Sequence, residues 1–164
     1  MKKILLIITG SIAASRCREI ITLLNVNQVR ISCILTKEAK KYVKISDIKK
    51  LLKNRIFTDE DEKKNKMLHI NLSRDNDIIV VCPATANSIA KFANGYGDNL
   101  ASNTLLASNK KILFVPAMNS FMWHNKINQK NVRLLKDSGH EFIGPKIGNL
   151  KCGEFGLGRI DNSK

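Results

Sequence analysis

The sequence predicts an α/β protein built on a parallel sheet, in a single domain. Short continuous apolar runs rich in Ile, Val and Leu recur along the chain and alternate with helix-spaced apolar stretches, the pattern of strands buried on both faces and joined by crossover helices. The runs stop abruptly at Gly10 or Pro116. With 164 residues and 43% apolar content, the chain fits one hydrophobic core.

Taken in order, residues 3–9 (KILLIIT) read as the first strand, stopped by Gly10. Residues 12–24 read as a helix with apolar positions at Ile12, Ile20, Leu23 and Leu24. A second strand is expected over 29–35, a turn at Thr36, and helices over 37–43 and 45–52. Residues 59–66 (DEDEKKNK) contain no apolar residue and read as an exposed loop. Beyond it, 77–82 is a strand and 85–93 a helix with Thr85 as its N-cap. Residues 111–115 form a strand, 128–138 a helix closed by Gly139, and 141–143 a short strand. Gly148, Gly153, Gly156 and Gly158 fall within eleven residues, so an irregular flap is expected over about 144–159 of a domain spanning 1–164. Repeats and linkers are not evident.

The net charge of +14 raises nucleic acid as a partner. The lysines are scattered, however, and the six Phe, two Tyr and one Trp interleave with no basic run, which argues against a base-stacking surface. The charge reads as solvated helix faces, compatible with attracting an anionic small molecule. No apolar run approaches the roughly 18–20 residues of a membrane helix. The run at 4–8 is short for a signal-peptide core of about 7–15 residues, so a cytoplasmic protein is expected. Cys17, Cys33 and Cys82 lie in apolar segments and read as small buried hydrophobes. Cys152, among glycines and charges, reads as a candidate reactive thiol. The spacings suit neither zinc nor a CxxC pair.

Ligands of such sheets bind outside the carboxyl ends of the strands. Gly10-Ser11-Ile12 follows the first strand, and Pro83-Ala84-Thr85-Ala86-Asn87 follows the strand at 77–82. Both are strand-to-helix turns able to offer N–H groups and hydroxyls to a phosphate, although each also reads as a plain helix cap. Neither carries a dinucleotide or nucleoside-triphosphate fingerprint. The third strand end is Pro116-Ala117-Met118-Asn119, where Asn119 is a ligand contact or a cap. His69, in the string MLHINL, is either structural or an acid/base.

These segments together resemble the homo-oligomeric flavin-containing cysteine decarboxylases. Residues 116–123 (PAMNSFMW) look like that family's PxMNxxMW motif, and 69–72 (HINL) like its histidine motif. Residues 83–87 (PATAN), with 90–91 and 95–100, are similar to its flavin-binding segment, and 10–14 with 36–39 fit the N-terminal part. Residues 150–159 (LKCGEFGLGR) resemble the substrate clamp of members acting on 4′-phosphopantothenoylcysteine in coenzyme A biosynthesis.

The resemblance implies a Rossmann-like (flavodoxin-like) parallel sheet with helices on both faces, and FMN as cofactor, held by Gly10, Ser11, Ile12, Thr36, Pro83, Ala84, Thr85, Ala86 and Asn87. It implies an assembly in threes or multiples of three, with no nucleic acid or membrane as partner. It also implies that FMN oxidises the cysteinyl end to a thioaldehyde-like species, that CO2 is lost, and that the resulting enethiol is reduced to 4′-phosphopantetheine. His69 would be the acid/base and Cys152 the proton donor. Asn119, with Ala117, Met118 and Gly153, would hold the substrate and its carboxylate. Members that decarboxylate the C-terminal cysteine of a precursor peptide are the alternative. They would share His69 and Asn119 but need a different clamp. A ligase domain that follows in many relatives is not part of these residues, so the chain is a stand-alone decarboxylase or a piece of a fusion.

Overall fold

The computed structural model describes residues 2–26, 29–53 and 55–161. Six strands form a parallel sheet: β1 (Lys3–Ile8), β2 (Arg30–Leu35), β3 (Ile56–Phe57), β4 (Ile78–Ala84), β5 (Ile112–Pro116) and β6 (Glu141–Phe142). Their spatial order is β3-β2-β1-β4-β5-β6. This is the Rossmann order; without the two-residue β3 the remaining five follow the flavodoxin order. The chain changes direction across the sheet between β1 and β4, and ligands of doubly wound sheets bind at that switch point.

The strand period of two divides β1 between two cores. Leu5 and Ile7 face one side with Ile79, Val81, Ile112 and Phe114. Leu6 and Ile8 face the other with Ile31, Cys33 and Leu35. Helices α4 (Leu68–Asp75), α5 (Ala86–Ala93), α6 (Leu100–Leu106) and α8 (Lys126–Asp137) cover the first face through Leu72, Ile89, Leu105 and Val132. Helices α1 (Cys17–Val26) and α2 (Ile45–Leu52) cover the second through Cys17, Ile21, Ile48 and Leu52. Phe114 is fully buried, and truncating such a side chain costs about 3–5 kcal/mol. Cys17, Cys33 and Cys82 are buried free thiols. Burial pushes the Cys33 thiol up, and the Cys82 hydrogen bond together with burial does the same to Cys17. None of the described helices is long and apolar enough to cross a membrane.

Four local expectations are corrected. The acidic stretch expected to be a loop contains α3 (Asp59–Lys64). Thr58 and Asp61 form a capping box, four acids occupy the first turn and two lysines the last. Charge placement along the dipole thus stabilises a helix with no buried residue. The helix expected over 37–43 is reduced to a single 3-10 turn at Ala39–Lys41, and the one expected over 12–24 begins as a 3-10 turn at Ile12–Arg16. The flap is regular: β7 (Lys146–Asn149) and β8 (Phe155–Arg159) form an antiparallel hairpin, and α7 (Ser120–His124) packs against β8.

Candidate active site

Two adjoining cavities open at the carboxyl ends of β1, β4 and β5. The first holds about 580 Å³. One side is the turn after β1, where Ser11 Oγ accepts the Ala13 N–H at 3.2 Å. Gly10 has no room for a side chain, because a Cβ there would lie 2.3 Å from that of Glu38. Thr9 Oγ1 donates to Pro83 O at 2.6 Å and ties the ends of β1 and β4 together. Across the cavity Thr85 Oγ1 caps α5 by accepting the Ser88 N–H at 3.2 Å. The N–H groups of Ala86 and Asn87 in that first turn have no intrahelical acceptor.

Of the residues expected to hold a cofactor, Gly10, Ser11, Thr36, Thr85, Ala86 and Asn87 line this cavity. Pro83 and Ala84 do not; both are buried in the end of β4. Ile12 lines the second cavity instead. Ile7, Val81, Phe92, Leu105 and Met118 provide an apolar wall. Lys91 donates to Asp98 at 2.5 Å, and this hydrogen bond holds the Asp98 carboxyl below its usual range. Asp59 also lines the cavity and accepts the Leu100 N–H at 2.9 Å. Its segment was expected to be an exposed loop; the Thr58-x-x-Asp61 capping pattern is the sequence signal that marks it as a helix start.

The second cavity, about 530 Å³, lies between the 3-10 turn Ile12–Arg16, residues 117–119 and the β7–β8 hairpin. Ser11, Ala117 and Met118 line both cavities. The hairpin is fastened by the Met118 N–H donating to Gly158 O at 3.0 Å. A Cβ at Gly158 would lie 2.1 Å from Met118 O, so only glycine permits this approach.

Asn119 caps α7, its Oδ1 accepting the N–H groups of Phe121 at 2.8 Å and Met122 at 3.3 Å. That leaves its amide N–H₂ facing the hairpin tip. Nδ2 donates to Glu154 Oε2 at 2.5 Å and lies 3.6 Å from Cys152 Sγ. Cys152 is exposed and lines the cavity with Asn119. Gly153, at φ +89°, turns the tip but lines neither cavity.

His69 is not brought to this cluster. It sits in α4 with Nδ1 2.7 Å from Glu62 Oε1, a contact without hydrogen-bond alignment. Within one chain His69 lines neither cavity.

The strand order and the cavity at its switch point define an α/β protein of the mononucleotide-binding class, with a β-hairpin lining an adjoining pocket. The chain belongs to the flavoprotein family, whose sequence pattern matches residues 1–164. It is 33% identical over 163 residues to a probable phosphopantothenoylcysteine decarboxylase of Streptococcus mutans, covering 97% of this chain and 91% of that one. It is 35% identical to the coenzyme A biosynthesis bifunctional protein CoaBC of Haemophilus influenzae, covering 97% of this chain but 40% of that protein. Among solved structures, a Cys-to-Ser mutant of PPC decarboxylase complexed with pantothenoylaminoethenethiol superposes with a TM-score of 0.90, 28% identity and coverage of 98% and 91%. The peptidyl-cysteine decarboxylase EpiD superposes with a TM-score of 0.84, 30% identity and coverage of 99% and 94%.

Proposed function

We propose that the protein decarboxylates 4′-phosphopantothenoylcysteine to 4′-phosphopantetheine, using FMN, as a cytoplasmic step of coenzyme A biosynthesis. One observation carries the reading: the Asn119 amide already grips a carboxylate, that of Glu154, beside the thiol of Cys152. A cysteinyl terminus presents a carboxylate, and the chemistry needs a proton donor close to it.

The first cavity fits FMN. It offers backbone N–H groups and hydroxyls at two strand-to-helix turns for a phosphate, and an apolar wall for a ring system. Bound FMN supplies reversible two-electron chemistry, which turns the carbon–sulfur end into an electron sink for the charge left by departing CO2. Asn119 orients the substrate carboxylate by donating from Nδ2. Met118, shared by both cavities, keeps the reacting end dry against the cofactor wall. His69 takes the proton from the substrate thiol, and Cys152 donates one to the enethiol carbon when CO2 has gone.

His69 lines neither cavity of its own chain, so in this arrangement it plays that part from another copy. Support comes from α7 and β8, which pack together and expose Phe121 and Phe155, with Ile127 close by in sequence; all three are more than 70% exposed. A second copy of this chain is the natural cover for such a surface. A trimer, or a multiple of three, is the proposed assembly.

Denaturing the purified protein should release FMN, identified by chromatography; recovery of FAD, or no flavin after reconstitution, would sink the cofactor assignment. Cys152→Ser should separate the two halves of the reaction. CO2 should still form and the flavin bleach on adding substrate, while oxidised enethiol accumulates, because a serine hydroxyl is a far weaker acid than a thiol. Reduced product at the wild-type rate, read by mass spectrometry, would remove Cys152 from the mechanism and favour the peptide-modifying alternative.

A further inference from the structure

We infer that Glu62, held by Asn103, is a positioning residue for His69: it keeps the proton on Nδ1 and leaves Nε2 as the atom that exchanges protons with a substrate. The inference rests on the acid/base part given to His69 above. Three helices bring the groups together, α3 supplying Glu62, α4 His69 and α6 Asn103. Glu62 Oε1 lies 2.7 Å from His69 Nδ1, and Asn103 Nδ2 donates to Glu62 Oε2 at 3.4 Å. A Cβ on Gly97 would lie 2.6 Å from Asn103 Oδ1, so the amide is itself braced against bare backbone.

The other acids of α3 have separate tasks. Asp59 accepts the Leu100 N–H at 2.9 Å, Asp61 closes the capping box with Thr58, and Glu60 pairs with Lys63. Glu62 differs. Among the described residues its side chain meets Asn103 and His69 and forms no ion pair with a lysine or arginine. It is 18% exposed, and the His69 side chain 25%, so this is not a pair of solvated surface groups.

Glu62 Oε1 and His69 Nδ1 are both shut off from water and have no other hydrogen-bond partner. Two lone pairs facing each other at their separation would repel, so a proton lies between them. A carboxyl is ordinarily the stronger acid of the two, and its other oxygen is accepting from Asn103. The proton therefore belongs to Nδ1. The ring stands off the ideal line, but the histidine χ2 torsion is soft, and a modest rotation aligns the N–H with Oε1. Nδ1 contributes nothing to the accessible part of the side chain. Reaction with a substrate thus falls to Nε2, whose lone pair is free to take a thiol proton. The carboxylate then stabilises the imidazolium that results.

The test reads the tautomer directly, by nitrogen NMR of the flavin-loaded protein labelled at its histidine rings, at about pH 9, where an ordinary imidazole is neutral. His69→Asn identifies the His69 signals among those of the three histidines. Wild type should show a protonated Nδ1 and a bare Nε2. In Glu62→Gln the Asn103 donor holds the amide oxygen, so the amide N–H₂ faces Nδ1 and the ring should switch to the Nε2–H form. The kcat for CO2 release should then fall by about a hundredfold or more, with KM little changed. Adding Asn103→Asp turns the amide round, and should restore the Nδ1–H form and about tenfold of the lost kcat. A bare Nδ1 in the wild type, or a tautomer that Glu62→Gln leaves unchanged, overturns the inference. If the tautomer follows these substitutions but CO2 release does not, Glu62 still sets the ring's proton, and it is the part given to His69 in the reaction that falls.

Discussion

Asn119→Asp is expected to lower kcat/KM by about a thousandfold or more, combining a lost hydrogen bond to a charged group with like-charge repulsion. The side-chain oxygen that accepts from Phe121 and Met122 is retained, and aspartate caps helices as well as asparagine does. The fold and flavin content should therefore be unchanged. What changes is the group facing the clamp. Nδ2, which donates to Glu154 Oε2 at 2.5 Å, becomes a second carboxylate oxygen set against both Glu154 and the incoming substrate. Steady-state kinetics on protein checked for wild-type flavin absorbance would decide the matter. Turnover within tenfold of wild type would show that the substrate carboxylate is held elsewhere.

The central strands were legible because a strand buried on both faces must be apolar throughout. Residues 3–9, 77–82 and 111–115 announce β1, β4 and β5 to within two residues at either end. Helix α3 was not legible by apolar periodicity, since it buries nothing; its capping residues were the available signal. The hairpin was hidden by its glycines. These read as irregularity, whereas Gly148 and Gly158 are small to admit the Arg159 side chain and the Met118 carbonyl.

The same division runs through the site. Turn chemistry identified Gly10, Ser11 and Thr85 as residues at a strand-to-helix turn, and they line the first cavity. Pro83 and Ala84 belong to the same string as Thr85 but complete β4 and are buried in its end. Asn119 and Glu154 meet across 35 residues, and no local pattern encodes that approach. The approach of Glu62 to His69 and Asn103 is likewise a tertiary fact. In the sequence Glu62 is one of four acids in a charged run.

His69→Asn should abolish CO2 release, with a loss of about two to four orders of magnitude expected for removing a general acid/base. Flavin content should stay normal, because His69 lines neither cavity of its own chain. The informative experiment mixes this variant with Asn119→Asp. Each is inactive alone, and each damages a different half of a site shared between neighbours. If His69 of one subunit serves Asn119 and Cys152 of the next, mixed assemblies made by co-expression contain some sites with both groups intact. Random mixing in equal amounts should leave about a quarter of the interfaces intact and restore that fraction of wild-type activity. Light scattering on the same samples should give a trimer or a multiple of three. If His69 acted within its own chain, every site would carry one lesion and no activity would return. An active, flavin-loaded monomer would also rule out the shared site, and His69 would then have to reach the substrate by a rearrangement of α3 and α4, starting with release of its 2.7 Å contact to Glu62.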